Sequence, residues 1–422
     1  MSSVAKNEKI KQAIQATREK HKDMMCRVFE LKLNTQKMSL IQREQLTTYF
    51  REAKWRRNSI IANFTSAIRN AKSAIVKVGE TFEERPFSIL GSQVIQDIYD
   101  SVKTELKMLH TKKEKGEKVG RLKFKSVCNC IPLRQYNMTY RIDFVRKLVR
   151  IQNIRKSFRV HGLEQIPQVA DITNAKLIRK ASGFYLHVTC FVPKEQTKTT
   201  GKMIGIDFGI GHNLTLSTGE TIDISVSESK GVKLASKQVN QAYKRNGKKK
   251  TSNHNRRVKK LRRAYERDTN RRHDKANKAV NEILSKNDFI AIQDEMIHNW
   301  HAGLFGRRVQ YSAMGYIKAK LQTNLKTYVV LRSYPSTQIC PVCGKTTKHP
   351  LKKRDYDCNY CGYHHDSRDV KSAQSILERA LYEVKVSLER RAQSLVEADT
   401  ATQISQGILC KYSPAKQEAQ CL

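Results

Sequence analysis

An apolar run with a single acid in its middle constrains this chain more than any other feature. Residues 203–210 read Met-Ile-Gly-Ile-Asp-Phe-Gly-Ile, which is typical of a buried strand. An ionised carboxylate among isoleucines is strongly destabilising unless it is paired or bound to a cation. Gly205 and Gly209, on either side of Asp207, would let another backbone or a phosphate come close. Two interpretations stay open at this point: a core strand whose Asp caps the next turn, and a strand that carries a metal ligand.

Two further acids follow apolar elements in the same half of the chain. Asp294 and Glu295 stand where a predicted strand ends, and Asp369 lies in the first turn of a predicted helix. The helix dipole alone would favour an acid there, so Asp369 also has a structural explanation. Acids on separate elements of one domain could hold two Mg²⁺ ions about 3.5–4 Å apart, one activating water and the other stabilising the leaving oxygen of a phosphodiester.

The elements around these acids predict an α/β domain with a mixed sheet, because strands alternate with helices. A well-marked helix, with Ala276, Ala279, Val280 and Ile283 at helical spacing, precedes the second acid. Besides the Asp207 strand, the predicted strands are Thr221 to Val226, Asp288 to Asp294 and Thr327 to Leu331.

Charge indicates the class of partner. The chain has 422 residues, enough for two or three domains, and its 80 Lys and Arg exceed its 39 Asp and Glu to give a formal charge of +41. The partner should be a polyanion; nucleic acid is favoured over an anionic membrane. The run Lys244 to Lys275 is a solvated helix hairpin or a nucleic-acid surface, and we favour the second. No apolar run reaches about 18 residues, so we expect a soluble, cytoplasmic protein.

Two pairs of cysteines give the most specific local signal. The spacing Cys-x-x-Cys occurs twice, each time followed by glycine, and predicts a zinc ribbon in which four thiolates bind one structural Zn²⁺. The four expected ligands are Cys340, Cys343, Cys358 and Cys361. His349, His364 and His365 lie nearby and are not expected to bind the metal. The other six cysteines are expected to be structural thiols: Cys26, Cys128, Cys130, Cys190, Cys410 and Cys421.

The N-terminal half predicts a β-barrel with an insert. Residues Cys26 to Asn34 alternate in polarity, and the same alternation returns at Tyr140 to Phe144 and at Phe184 to Val192. Between them, from about Ser39 to His110, apolar residues recur at helical spacing, so we predict an all-helical insert.

The order of these features resembles the TnpB family of transposon-encoded RNA-guided DNA nucleases, and is close to the miniature type V CRISPR effectors. The resemblance covers about residues 25 to 380. It is carried by residues 204–209, by residues 292–295, by the paired cysteine knuckles and by residues 369–373, which look like the family's Asp-x-Asn-Ala-Ala.

The resemblance implies an RNase H-like (RuvC) nuclease domain with a zinc ribbon, and an N-terminal wedge β-barrel that carries a helical recognition insert. It implies an Mg²⁺-dependent endonuclease in which Asp207, Glu295 and Asp369 bind the two Mg²⁺ ions and cut DNA, with a guide RNA (omega RNA or CRISPR RNA) and target double-stranded DNA as partners. Oligomeric state stays open. The implied domains are an extension (1–24), the wedge barrel (25–38 and 120–196), the insert (39–119), the nuclease domain (202–337 and 363–385), the ribbon (338–362) and a tail (386–422).

Two departures from the family pattern leave alternatives. Many relatives have Glu-Asp directly after the second strand, so Asp294 is the alternative to Glu295, as Asp366 is to Asp369. Lys371 stands where the family has Asn, and could weaken the second metal site or contact a phosphate. A nuclease-inactive RNA-guided DNA-binding protein is the alternative function; the retained acids favour the nuclease.

Overall fold

The computed structural model describes residues 3–194, 199–245, 247, 249–303, 305–350 and 352–411. The chain divides into two compact units, Met1–Gln196 and Thr197–Leu422. The division falls where the sequence predicts the wedge barrel to end; the individual domain assignments stay predictions. In the described residues, no helix is both long enough and apolar enough to span a membrane.

The first unit is built on one seven-stranded sheet, in the order β4-β8-β9-β1-β7-β6-β5, that closes nearly into a barrel. The predicted strands β1, β5 and β9 are all present in it. Every pairing in this sheet is antiparallel. In chain order the elements are α1 (Ser3–Lys20), β1 (Met24–Leu33), α2 (Leu40–Ala62), β2 (Ser73–Val78), β3 (Thr81–Pro86), α3 (Ser92–Glu114), β4 (Cys130–Leu133), β5 (Tyr140–Asp143), β6 (Leu148–Ile151), β7 (Phe158–His161), β8 (Asp171–Lys180) and β9 (Gly183–Pro193).

The insert is not all-helical as predicted. Between α2 and α3 the chain forms a β-hairpin, in which Ser73 pairs with Pro86 and Val78 with Thr81. Gly79, with φ of +64°, makes the turn, and β-branched residues on both sides favour extended backbone. In the sequence, helical spacing continues from Ile60 through Phe64 and Ile68, yet α2 ends at Ala62. The periodicity was correct within the helices and wrong across the gap between them.

The two helices of the insert share one core with the barrel. Ser39 caps α2 through a capping box with Gln42, which explains the predicted start. Buried residues of α2 and α3 pack with the inward leucines of the sheet, and include Leu46, Phe50, Ile60, Ile95, Ile98 and Val102.

The second unit contains a five-stranded mixed sheet in the order β12-β11-β10-β13-β14, as the α/β prediction requires. Strands β10, β13 and β14 are parallel, and β11 and β12 pair antiparallel beside β10. The strand predicted over Thr221 to Val226 is only two residues long. The elements are β10 (Met203–Phe208), β11 (Leu214–Leu216), β12 (Thr221–Ile222), α4 (Lys230–Arg245), α5 (Ser252–Lys286), β13 (Phe289–Gln293), α6 (Gly306–Ser312), α7 (Met314–Gln322), β14 (Thr327–Val330), β15 (Tyr356–Asp357), β16 (His364–His365) and α8 (Arg368–Lys411).

Helix α8 crosses the sheet directly against β10. A Cβ added at Gly205 would lie 2.0 Å from the carbonyl oxygen of Ala373, so only glycine permits this packing. Ala373, Ile376 and Ala380 are fully buried on the face of α8 that packs on the sheet. Gly205 thus admits a backbone, one of the two partners that the sequence predicted.

Candidate active site

The four predicted zinc ligands come together. All four sulfur atoms lie within 4.8 Å of one another, and the Sγ atoms of Cys340 and Cys361, and of Cys343 and Cys358, are 3.6 Å apart. Tetrahedral Zn²⁺ with Zn–S bonds of about 2.3 Å needs sulfurs about 3.8 Å apart, so the cluster fits this ion. Closed by four cysteines, the site would be structural.

The glycine after each cysteine pair makes the turn that the knuckle needs. Gly344 and Gly362 have φ of +70° and +73°. Their amides donate to the carbonyl oxygens of Cys340 and Cys358 at 3.0 and 3.1 Å. The three neighbouring histidines are not members of this sulfur cluster.

The remaining cysteines that the structure describes with their side chains are free thiols away from the cluster. Cys128 and Cys190 are buried, whereas Cys26 and Cys130 are exposed. The side chain of Cys410 and the whole of Cys421 lie outside the described residues.

Asp207 is on the penultimate residue of β10, between the buried side chains of Ile206 and Phe208. Its Oδ1 accepts a hydrogen bond of 3.2 Å from Ser372 Oγ on α8. Burial, followed by the nearby charge of Asp369, raises the pKa of Asp207 to about 8. Among the described residues, no cation forms an ion pair with this carboxylate, and Arg368 offsets only part of the rise in its pKa. A bound divalent cation would compensate the charge.

Glu295 and its alternative Asp294 have different surroundings. Glu295 is partly buried and faces the same cleft as Asp207, and burial raises the pKa of its carboxyl group. Asp294 is half exposed and paired with Lys318, whose Nζ lies 2.6 Å from its Oδ1. Because β10 and β13 are parallel, their carboxyl ends meet at one edge of the sheet, which is where Asp207 and Glu295 lie.

Asp369 and its alternative Asp366 likewise separate. Asp369 lies in the first turn of α8 and faces the cleft, with its Oδ2 3.7 Å from Arg354. The helix begins there because the Ser367 hydroxyl accepts from the Val370 amide. Asp366 points into solvent, 99% exposed, and contacts His364.

The three acids line one cleft of about 830 Å³. The carboxylate oxygens of these three acids are farther apart than the sulfur atoms of the cysteine cluster. Among the described residues, the three acids do not form a group whose ligand atoms all lie within 4.8 Å of one another. The cleft is also lined by aromatic residues and by five cationic side chains that could attract a phosphodiester: Arg308, Arg332, Lys352, Arg354 and Arg368.

Lys371 does not line the cleft, which disfavours the phosphate contact, one of the two roles that the sequence left open for it. The side chain is fully buried, and its Nζ donates to the carbonyl oxygens of Ser336 at 2.9 Å and Ile339 at 2.7 Å. The same Nζ lies 4.0 Å from the centre of the Tyr356 ring. Burial lowers the pKa of Lys371 to about 8. Lys371 therefore ties the start of α8 to the segment that leads into the zinc ribbon.

Sequence reasoning missed the polar residues beneath the acids. Ser336, Ser372 and Gln293 are buried together behind Asp207, although serine and glutamine in isolation carry no spacing signal. The one available sign was Gln293, a polar residue that continues an apolar strand into a pair of acids.

Comparisons with known proteins match parts of the second unit and the last residues of the first unit. Residues 187–299 match a family described as OrfB_IS605, "Probable transposase", and residues 311–376 match the "Cas12f1-like, TNB domain". A Streptomyces pristinaespiralis protein named "Putative RNA-guided DNA endonuclease" is 29% identical over 225 residues, which is 51% of this chain and 55% of that protein. The chain thus spans about half the length of this curated relative.

Proposed function

We propose, from the premise that the chain belongs to a TnpB-like family, that it is an RNA-guided DNA endonuclease that cuts phosphodiester bonds with Mg²⁺. In this proposal, residues 202–337 and 363–385 form a RuvC-like nuclease domain and residues 338–362 its ribbon. A guide RNA chooses the target, beside a short DNA motif that the protein reads.

One observation carries the proposal: three carboxylates from separate elements face one cleft that also carries five cationic side chains. Asp207, Glu295 and Asp369 arrive from β10, from beyond β13 and from α8. A cleft built for a neutral ligand would require neither the acids nor the arginines. A polyanion needs the arginines, and the acids need a divalent cation beside it.

The chain's own residues define the chemistry that is available. Asp207, Glu295 and Asp369 would hold Mg²⁺, and burial next to two other acids makes Asp207 fit for this. Bound there, two Mg²⁺ ions would activate water and stabilise the leaving oxygen. Arg354 lies at the mouth beside Asp369 and, with Arg332, would orient the phosphodiester.

Guidance by RNA is supported by the distribution of charge. Helices α4 and α5 form a hairpin, and α5 has exposed Lys and Arg along most of its length. Dispersed charge of this kind binds nucleic-acid backbone without reading bases, whereas base pairing with a guide supplies sequence. The hairpin is therefore the proposed path for RNA or for the heteroduplex.

Purification with the native flanking locus tests this proposal. The protein should carry one structured RNA, which sequencing would identify. Glutamine at six exposed α5 positions should weaken retention and lower the salt slope by about one for each lost phosphate contact. The six positions are Arg256, Lys259, Lys260, Arg262, Arg267 and Lys275.

Two results would contradict the guided mechanism. Protein stripped of RNA could cut the same DNA equally well, which would indicate a conventional nuclease. The charge-neutralised protein could also retain the RNA with an unchanged salt slope, which would remove α5 from the RNA path.

A further inference from the structure

A chain of buried polar side chains lies directly behind Asp207. Ser372 Oγ is 3.2 Å from Asp207 Oδ1 and 3.0 Å from Ser336 Oγ, and Ser336 Oγ is 2.7 Å from Gln293 Oε1. Ser372 is fully buried, and Ser336 and Gln293 are at most 4% exposed. Water therefore cannot easily replace any member of this chain.

The donors and acceptors of this polar network are defined at its Gln293 end. Gln293 Nε2 donates to the carbonyl oxygens of Tyr334 at 2.6 Å and Leu331 at 3.3 Å, so its Oε1 must accept. The Ser336 hydroxyl has one proton and gives it to that oxygen. The one Ser372 proton then has two possible acceptors, Ser336 Oγ at 3.0 Å and Asp207 Oδ1 at 3.2 Å, and the carboxylate is the stronger of the two.

The polar network is also held in place by contacts with the backbone. Lys371, next to Ser372, donates to the carbonyl oxygens of Ser336 and Ile339 and fixes the backbone that carries Ser336. Ser372 itself is fixed by the close packing of α8 on β10 at Gly205. The hydroxyl that contacts Asp207 is thus held from two sides.

We propose that Ser372 is a positioning residue, which orients the Asp207 carboxylate toward the cleft for a divalent cation. This inference rests on the proposed function. Partners that hydrogen-bond to metal ligands fix ligand orientation, and their loss typically weakens metal affinity or activity by about 10- to 100-fold. The resembling motif has alanine at this position, so the hydroxyl is a feature of this chain.

The chain offers a matched control on the same helix. Ser375 is 1% exposed, and its hydroxyl has no hydrogen-bond partner among the described residues. Ser372→Ala and Ser375→Ala remove the same atom from the same buried helix, and only the first removes a contact with Asp207. Ser336→Ala should be intermediate, because the Ser372 hydroxyl can still donate to Asp207 but loses the contact with Ser336 Oγ that helps to hold it in place.

The experiment measures Mn²⁺ binding to the full-length, zinc-loaded protein by calorimetry, together with single-turnover DNA cleavage by the RNA-loaded protein. Ser372→Ala should bind Mn²⁺ and cleave DNA about 10- to 100-fold more weakly than wild type, with Ser375→Ala within about twofold of wild type. Ser336→Ala should fall between them. Thermal unfolding of the two alanine variants should agree, which separates positioning from general destabilisation.

Equal Mn²⁺ affinity for Ser372→Ala and Ser375→Ala, with binding lost in Asp207→Ala, would overturn the inference and leave the nuclease proposal intact. Failure of the proposed function has another signature: wild type and Asp207→Ala would then agree in both Mn²⁺ binding and cleavage. Should Ser372→Ala unfold, Ser336→Ala decides, and wild-type Mn²⁺ affinity in that variant would overturn the inference.

Discussion

Two carboxylates withdrawn from solvent, one in each unit, have opposite surroundings. Glu52 of α2 is 1% exposed and accepts four hydrogen bonds, from the amides of Ser88, Ile89 and Leu90 and from the Ser88 hydroxyl, at 2.6–3.1 Å. Among the described residues, Asp207 accepts one hydrogen bond of 3.2 Å from a side chain, and the charges that act on it most strongly include those of two other acids, Asp369 and Glu295.

The difference separates a structural acid from a functional one. The carboxylate oxygens of Glu52 already accept hydrogen bonds from the loop before α3, so Glu52 joins this loop to α2. Little acceptor capacity is left for a ligand. Asp207 keeps that capacity unused at a cleft. Burial alone therefore identifies neither role; the number of hydrogen bonds that the buried carboxylate already accepts does.

The largest effect is expected in the zinc ribbon, because four thiolates so close together are strongly destabilising without a cation. Cys358→Ser should lose stoichiometric zinc and unfold the ribbon, since structural zinc binding contributes about 10 kcal/mol or more to folding. Metal analysis and limited proteolysis measure both effects. Cys130→Ser, an exposed free thiol elsewhere, is the control and should keep its zinc. Unchanged zinc content in Cys358→Ser would remove the ribbon.

For Asp207, the expected loss is in catalysis rather than in binding. Asp207→Ala should slow Mg²⁺-dependent cleavage by about 10³-fold or more, because metal ions stabilise the charge of the transition state by several kcal/mol. Glu295→Ala and Asp369→Ala should behave in the same way, and all three should still bind RNA and DNA. Single-turnover cleavage and a gel-shift assay measure the two properties.

The alternative acids serve as controls for this prediction. Asp294→Ala and Asp366→Ala should cleave at nearly the wild-type rate, because neither side chain lines the cleft. If Asp366→Ala were inactive and Asp369→Ala active, the assignment of the third acid would be wrong.

Replacing Glu52 should have the reverse outcome. Glu52→Ala leaves three buried or partly buried amides without an acceptor, at about 1–3 kcal/mol each, and should lower the free energy of unfolding of the first unit by about 3 kcal/mol or more. Chemical denaturation measures the change. Glu44→Ala, exposed on the same helix, should have almost no effect. Wild-type stability in Glu52→Ala would contradict the structural role.

The smallest effect is expected for Asp207→Asn without divalent cations. The carboxylate lies near other acids, so its removal should leave the free energy of unfolding of the zinc-loaded protein unchanged or raise it by up to about 2 kcal/mol. Asp294→Asn, which instead loses an ion pair with Lys318, should lower it slightly. A clear loss of stability in Asp207→Asn would make Asp207 a structural acid like Glu52.

The features that could be predicted from the sequence are those with a local signature. Four cysteines in 22 residues, from Cys340 to Cys361, carry their own spacing, and the alternation of β1 and β9 gives the strands of the barrel. The hairpin in the insert was missed because two short strands between helices continue an apolar pattern that periodicity cannot divide. The sequence left the role of Lys371 open because the direction of its side chain depends on how α8 packs, which no local pattern contains.

Placement of the acids combined local and long-range information. The end of an apolar strand predicts an acid at a sheet edge, which located Asp207 and the neighbourhood of Glu295. The choice between Glu295 and Asp294 depends on which side chain turns into the cleft. Asp294 instead forms an ion pair with Lys318 on α7. The contact of Ser372 with Asp207 joins residues 165 positions apart and has no sequence signal.

Exchange of the guide tests the central claim most directly. The RNA-loaded protein, with its guide reprogrammed to a second DNA, should cut that DNA in Mg²⁺ and stop cutting the first, because base pairing rather than the protein chooses the target. Cleavage that follows the original DNA sequence after the guide is exchanged would contradict the account.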